Sequence, residues 1–297
     1  MRLVDAVAAM LSQPVRPEIH AAARQVCARL GGDAVLFYGS NLRRGDLDGL
    51  VDFYVITNRP SRGLGAVIWP DVGYHEVNLG AVTVRAKVAV LSLAQFHNAA
   101  SGDGIDTTVW TRFSQPSRLL VSADASTANA VARAVAQAIR TAARFALALG
   151  PQQGRIEDWW RALFRQTYRA ELRVEPPTRS AAILDGDPDH FRTMLPLAWA
   201  SQAIASSREG DILRPEVPPV LIRRWKRAWR VRRVLGKPLN AVRLVKAAFT
   251  FEGATRYALW KIERHTGLRL AVTPWRERHP ILAAPGVLLR LWQARRA

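Results

Sequence analysis

The chain has 297 residues, enough to bury a sizeable core in two packed units, and its 49% hydrophobic and 23% charged residues exclude a disordered chain. A single cysteine, Cys27, excludes an intramolecular disulfide and any multi-cysteine metal site. The net charge of +19 sits at one end: from Arg223 onward there are 19 Lys/Arg against three acids, whereas the rest carries 24 basic and 21 acidic residues. A polyanionic partner is expected for that end.

The opening MRLVDAVAAMLSQP has Asp5 inside its apolar run and no small-residue cleavage site after a long apolar core, so it reads as neither a signal nor a transit peptide. No segment reaches the roughly 20 apolar residues that cross a bilayer. With frequent Ala and Arg, the expected setting is bacterial: cytoplasmic, or peripheral on the inner face of the membrane. Residues 1–30 read as one helix stopped by Gly31-Gly32, with Cys27 as a small helix-packing residue. Ala34–Tyr38 reads as a buried strand entering a Gly39-Ser40 turn, and Leu50–Thr57 as a second strand. Two more strands are expected at Ala66–Trp69 and Val82–Leu91, with a helix beginning after Ser92.

From there the character is helical. Ala125–Leu149 is an Ala-rich helix stopped by Gly150-Pro151, and a second helix runs from Ile156 to about Arg169. Asp187 before Pro188 reads as an N-cap with proline at the first helical position, since the DGDP cluster lacks calcium-loop spacing. Residues 208–220 read as a linker, and the basic segment beyond as three or four helices broken near Pro238, Gly253, Gly267 and Pro274. The expected fold is an α/β N-terminal domain with a mixed sheet over residues 1–122, followed by a mainly α-helical region: a helical domain over 123–207 and a basic helical extension over 221–297.

The pattern that carries chemistry is Tyr38-Gly39-Ser40, a basic loop, then Asp52 within Val51–Val55. A Gly-Ser turn at a strand end presents backbone N–H groups and a hydroxyl suited to triphosphate oxygens. A carboxylate on the adjoining strand can place Mg²⁺ against the same phosphates. The plain alternative is a structural turn beside a hydrogen-bonding aspartate. Arg85 and Lys87, two apart on a strand, share one face and could meet the triphosphate together, or form a solvated strand face. Arg112, expected to follow an aromatic strand, could bind a phosphate bidentately or pair with a surface acid. Tyr168, Glu171 and Arg173 near a helix end would otherwise be helix surface.

This arrangement resembles the DNA polymerase β-like nucleotidyltransferase superfamily, although Leu50 and Tyr54 occupy the positions alternate to Asp52 where a second carboxylate is usual. Asp46, Asp48 and Glu76 are the candidates for that second metal ligand. Within the superfamily the chain resembles the mitochondrial-type CTP:phosphatidate cytidylyltransferases. The likeness runs in order through Tyr38-Gly39-Ser40, Asp52-Phe53, Val72-Gly73-Tyr74 with Asn78, and Val84–Val88. It continues through Trp110–Pro116, Tyr168–Arg173 and Asp189-His190-Phe191, about two thirds of the chain. Asn41 stands where that family has glycine, and the Trp-His after its Asp strand is absent. The resemblance implies transfer of CMP from CTP to phosphatidic acid, giving CDP-diacylglycerol. It implies Asp52, Arg85 and Lys87 in catalysis, and Tyr38, Gly39 and Ser40 on the nucleotide. It also implies Arg112, Tyr168 and Arg173 on the lipid phosphate, and Mg²⁺ at Asp52 with Asp48. Alternatives are a nucleotidyltransferase acting on RNA or a small molecule, and a degenerate adaptor of the same fold.

In the basic end, Trp225 and Trp229 lie four apart among arginines, and Leu291-Trp292 repeats the theme. Such a helix suits the interface of an anionic membrane. Nucleic acid is the rival partner, since Trp and Arg also grip single strands, and a core role for the tryptophans is the plain alternative.

Overall fold

The computed structural model describes residues 1–47, 49–59, 69–170, 179–251, 253–266, 271 and 273–275. The expected helix over residues 1–30 is two, α1 (Leu3–Leu11) and α2 (Pro17–Leu30). Proline explains the correction: Pro14 falls in the break, and Pro17, with its fixed φ, opens α2 at the first turn.

A five-stranded mixed sheet follows, built from β1 (Ala34–Tyr38), β2 (Leu50–Thr57), β3 (Asp71–Asn78), β4 (Thr83–Ser92) and β5 (Ser117–Ser122). Its order is β3-β4-β2-β1-β5; β2 and β4 run parallel and every other pair is antiparallel. The expected strand at Ala66–Trp69 falls outside the described residues except for Trp69, which lies just before β3. Alternation divides the strands cleanly. Val35, Phe37, Val51, Phe53, Val55 and Val88 pack on α2. Leu36, Tyr54, Ile56, Ala89 and Leu91 face the larger core on the other side.

That larger core is helical. It is formed by α1, α4 (Leu93–Ser101), α5 (Thr108–Phe113), α6 (Ala125–Leu149), α7 (Ile156–Ala170), α8 (Arg179–Asp185) and α9 (Pro188–Ala200). Ser92 caps α4, accepting from the Gln95 N–H at 3.2 Å. Asp187 caps α9, accepting from the His190 N–H at 3.1 Å with Pro188 in the first turn, as its sequence predicts. Arg112 lies in α5 rather than after an aromatic strand: Val109, Trp110 and Phe113 are spaced as one helical face, and all three are buried.

Residues read as a linker form a hairpin instead, β6 (Ala205–Glu209) with β7 (Ile212–Glu216). Gly210 supplies its left-handed turn, and Leu213 is buried while exchanging backbone hydrogen bonds with Gly154. The basic segment then forms one helix, α10 (Pro219–Thr250), continuous through Pro238, and after a turn at Gly253 a second, α11 (Ala254–Thr266). Proline is tolerated there because Pro238 and Val234 both face solvent, where water can satisfy the carbonyl that proline leaves without a donor.

The face of α10 carrying Trp225 and Trp229 is turned inward. Trp229 is 4% exposed and its ring lies 5.7 Å from Phe145 and 6.5 Å from Trp110; Trp225 packs half-buried on the same core. The core role is therefore the one observed for these tryptophans. Leu291 and Trp292 lie outside the described residues. Among the described residues no helix is long and apolar enough to cross a membrane.

Candidate functional site

The sheet register assembles the candidate site as a row. Tyr38 on β1 stands opposite Asp52 on β2, Asp52 beside Lys87 on β4, and Lys87 opposite Tyr74 on β3. One row along, Arg85 pairs with Glu76. Because side chains opposite one another share a face, Tyr38, Asp52, Arg85 and Lys87 all project to the side of the helical core. Strands sit about 4.8 Å apart, so a half-buried carboxylate has a lysine as its immediate neighbour.

Gly39 joins this row to the turn. It has φ +96 and ψ −165, a conformation open to glycine, and leads from β1 directly into α3 (Ser40–Arg44). A Cβ there would lie 2.9 Å from Asp52 Oδ2. The backbone of the turn and the carboxylate are thus packed against each other with room for no side chain. Gly39→Ala is expected to lower stability by about 1–3 kcal/mol, from backbone strain at this φ and the displaced carboxylate. Denaturant unfolding checks this against Gly45→Ala, which has open space around its Cβ and carries only the backbone penalty.

Other segments close on the same end of the sheet. Arg43 of α3 donates to Gln115 Oε1 at 3.3 Å, and a Cβ on Gly186 would meet the Arg43 side chain at 2.5 Å. His190 bonds the Ser114 carbonyl through Nε2 at 2.9 Å, tying the start of α9 to the end of α5. The stretches around Arg43, Ser114 and His190, distant in sequence, therefore meet. Burial holds the His190 imidazole below its ordinary pKa, against the opposing influence of the Ser114 carbonyl and Asp187, while Arg118 adds to the lowering. The unfolded chain binds this proton more readily, so stability is present above the ordinary histidine range and falls as pH drops through it. Melting temperature is expected to decline from pH 7.5 to pH 5.5, with a shallower decline in His190→Gln.

Tyr54 occupies the position where a second carboxylate was sought. Its hydroxyl accepts from Arg112 Nη1 at 2.9 Å, so the alternate position holds an arginine in place rather than a metal. Burial raises the Tyr54 pKa. Tyr38, Tyr54, Phe96 and Phe113 pack in edge-to-face and tilted pairs beside this contact, with centroids 4.9–6.5 Å apart.

Of the other candidate carboxylates, Asp46 and Glu76 are engaged with cations. Asp46 accepts from Arg44 at 2.8 Å, and the same arginine donates to Asn41 Oδ1 at 2.7 Å, closing the loop after the Gly-Ser turn. Glu76 takes the Tyr74 hydroxyl at 2.7 Å and pairs with Arg85 at 3.4 Å. Burial, followed by the neighbouring Glu76, pushes the Tyr74 pKa well above its usual value. Asp48, Glu171 and Arg173 lie outside the described residues. Tyr168 sits in the last turn of α7, half-buried against the large core. Among the described residues no three His, Cys, Asp or Glu side chains gather into a metal cluster.

Sequence reasoning missed the part played by α10 and α11. Arg243 pairs with Asp106 at 2.7 Å, both largely buried, and Asp106 also accepts from Thr108 at the start of α5. Arg232 donates to the Gly102 and Gly104 carbonyls and lies 4.7 Å from the Phe145 ring centre; burial and the nearby Arg144 push its pKa down to about 10. Two basic residues of α10 thus grip the loop that leads into the helix bearing Arg112. From α11, Trp260 lies 5.8 Å from the Arg85 guanidinium and stacks near Tyr74. Spacing gave one available signal: Trp225, Trp229, Arg232, Gly236 and Arg243 recur at helical intervals on one face.

No protein-family model matches the chain, and no curated protein matches it.

Proposed function

We propose that the chain is a nucleotidyltransferase of the polymerase β-like kind that transfers CMP from CTP to phosphatidic acid. The observation that carries the reading is the seating of Gly39 against Asp52, in a row that continues to Lys87. A side-chain-free turn, one carboxylate and adjacent cations are what a metal-bound triphosphate needs. Mg²⁺ fits this donor set, because it is commonly bound by one or two carboxylates with the remaining positions taken by phosphate oxygens and water. Asp52 would hold it, and there it would offset charge on the triphosphate.

The remaining roles belong to the chain's own groups. Backbone N–H groups at Ser40 and Asn41 would receive phosphate oxygens, and Lys87 with Arg85 would neutralise the charge that otherwise repels a second polyanion. Arg112, braced by the Tyr54 hydroxyl, would hold the acceptor's phosphate. An oxygen of phosphatidic acid attacks the α-phosphorus, a P–O bond to that oxygen forms, and the bond to the β-phosphate breaks to release pyrophosphate. That acceptor is already anionic at neutral pH, so no enzyme nucleophile is required and catalysis is positioning and electrostatics.

Calorimetric titration with a non-hydrolysable CTP analogue tests the nucleotide site. Binding that requires Mg²⁺ and is lost in Asp52→Ala is expected. No binding by the folded protein in either condition would overturn the reading and favour a degenerate adaptor.

A further inference from the structure

We infer that the outward face of α10 docks on an anionic lipid bilayer. The inward turn of both tryptophans leaves the opposite side of this helix to solvent, and that side carries a row of aliphatic residues. Val220, Val231, Val234, Leu235, Val242 and Val245 are 60%, 48%, 66%, 42%, 47% and 61% exposed. From Val231 they recur at intervals of three, four and seven, with exposed Pro238 between, so they form one continuous stripe. Solvent-exposed aliphatic residues in such a row, rather than scattered singly, mark an interaction surface.

The charge around the stripe identifies the partner. Across its 32 residues α10 carries ten Lys/Arg and no Asp or Glu. Arg232, Arg243 and Lys246 point inward, to the loop before α5, to Asp106 and to Asp71. The other seven, Arg227, Arg230 and Arg233 among them, are exposed beside the stripe. With no acid in the helix to answer them, an anionic partner would relieve their mutual repulsion. A bilayer carrying anionic headgroups answers both features, accepting aliphatic side chains at the acyl boundary and cations at the headgroups. Single-stranded nucleic acid answers only the second, because its bases need exposed aromatic rings and both tryptophans of α10 are turned inward, Trp229 buried and Trp225 half-buried.

This deepens the proposed activity by naming the surface through which the protein meets its lipid; its relevance to catalysis rests on that reading, while the docking is tested apart from it. Full-length protein is sedimented with phosphatidylcholine vesicles with and without phosphatidylglycerol, in the absence of CTP and phosphatidic acid. Binding only to the anionic vesicles, weakened by salt, is expected. Val231→Ser/Val234→Ser/Val242→Ser keeps the charge and should lower partitioning about tenfold or more with no loss in melting temperature. Asp52→Ala should bind like wild type, so an inactive enzyme would leave the docking intact. Wild type remaining in the supernatant, a serine triple variant that binds equally, or a stripe whose loss weakens single-stranded RNA binding and not vesicle binding would each overturn the proposal.

Discussion

Asp52→Asn is expected to lower CMP transfer by about a thousandfold or more, with the fold retained. The side chain is half-buried, keeps its shape on substitution, and loses only the charge that would hold Mg²⁺ beside the Gly39 turn. Losing several kcal/mol of charge stabilisation in the transition state corresponds to that factor, since each 1.36 kcal/mol is tenfold. Lys87→Ala and Arg85→Ala should cost less and fall partly on KM, because each would supply one of several cations around the same phosphates. Arg85 has a further tie, its pairing with Glu76 and its place by Trp260, so its loss should also loosen α11. Steady-state kinetics with circular dichroism separates these effects. An Asp52→Asn variant with near-wild-type transfer would remove the carboxylate from the mechanism.

Trp229→Ala is the largest expected effect on stability, about 3–5 kcal/mol, the usual cost of emptying an aromatic site in a packed core. The ring is almost fully buried between Phe145 of α6 and Trp110 of α5, and its loss would open a cavity where α10 meets both. Val234→Ala on the opposite face should change stability by no more than about 0.5 kcal/mol. Urea unfolding of the two variants reports which face of α10 the core uses. Equal small effects would place Trp229 at the surface.

The contrast at α10 shows what a linear reading can and cannot supply. Spacing of four placed Trp225 and Trp229 on one face, but their arginine neighbours surround the helix, so only the packing partners decide which side is inner. Pro238 suggested a break, yet its solvent-facing position lets the helix run on. At the sheet, β1 and β2 were legible from largely apolar, β-branched and aromatic runs, and β4 from the valines that alternate through TVRAKVAVLS. Outer strands β3 and β5 were not, because DVGYHEVN mixes charge with half-buried positions and SRLLVS is short. The 205–216 hairpin is polar and almost wholly exposed, which is also the composition of a linker.

Within the candidate site, Arg85 and Lys87 were legible as one face because strand alternation is strict, whereas only the register sets Asp52 beside Lys87. The Tyr54–Arg112 contact spans 58 residues and the Arg243–Asp106 pair 137, and no local pattern announces such pairings. The first ties α5, with Arg112, to β2, and the second ties the loop before α5 to α10.

The most direct test of a cytidylyl transfer at this row uses CTP labelled at the α-phosphate, vesicles carrying phosphatidic acid, and Mg²⁺. Wild type is expected to move label into the lipid extract from the α position and none from the γ position, with neither moved by Asp52→Asn. Folded wild-type protein that leaves all label in the aqueous phase would contradict it.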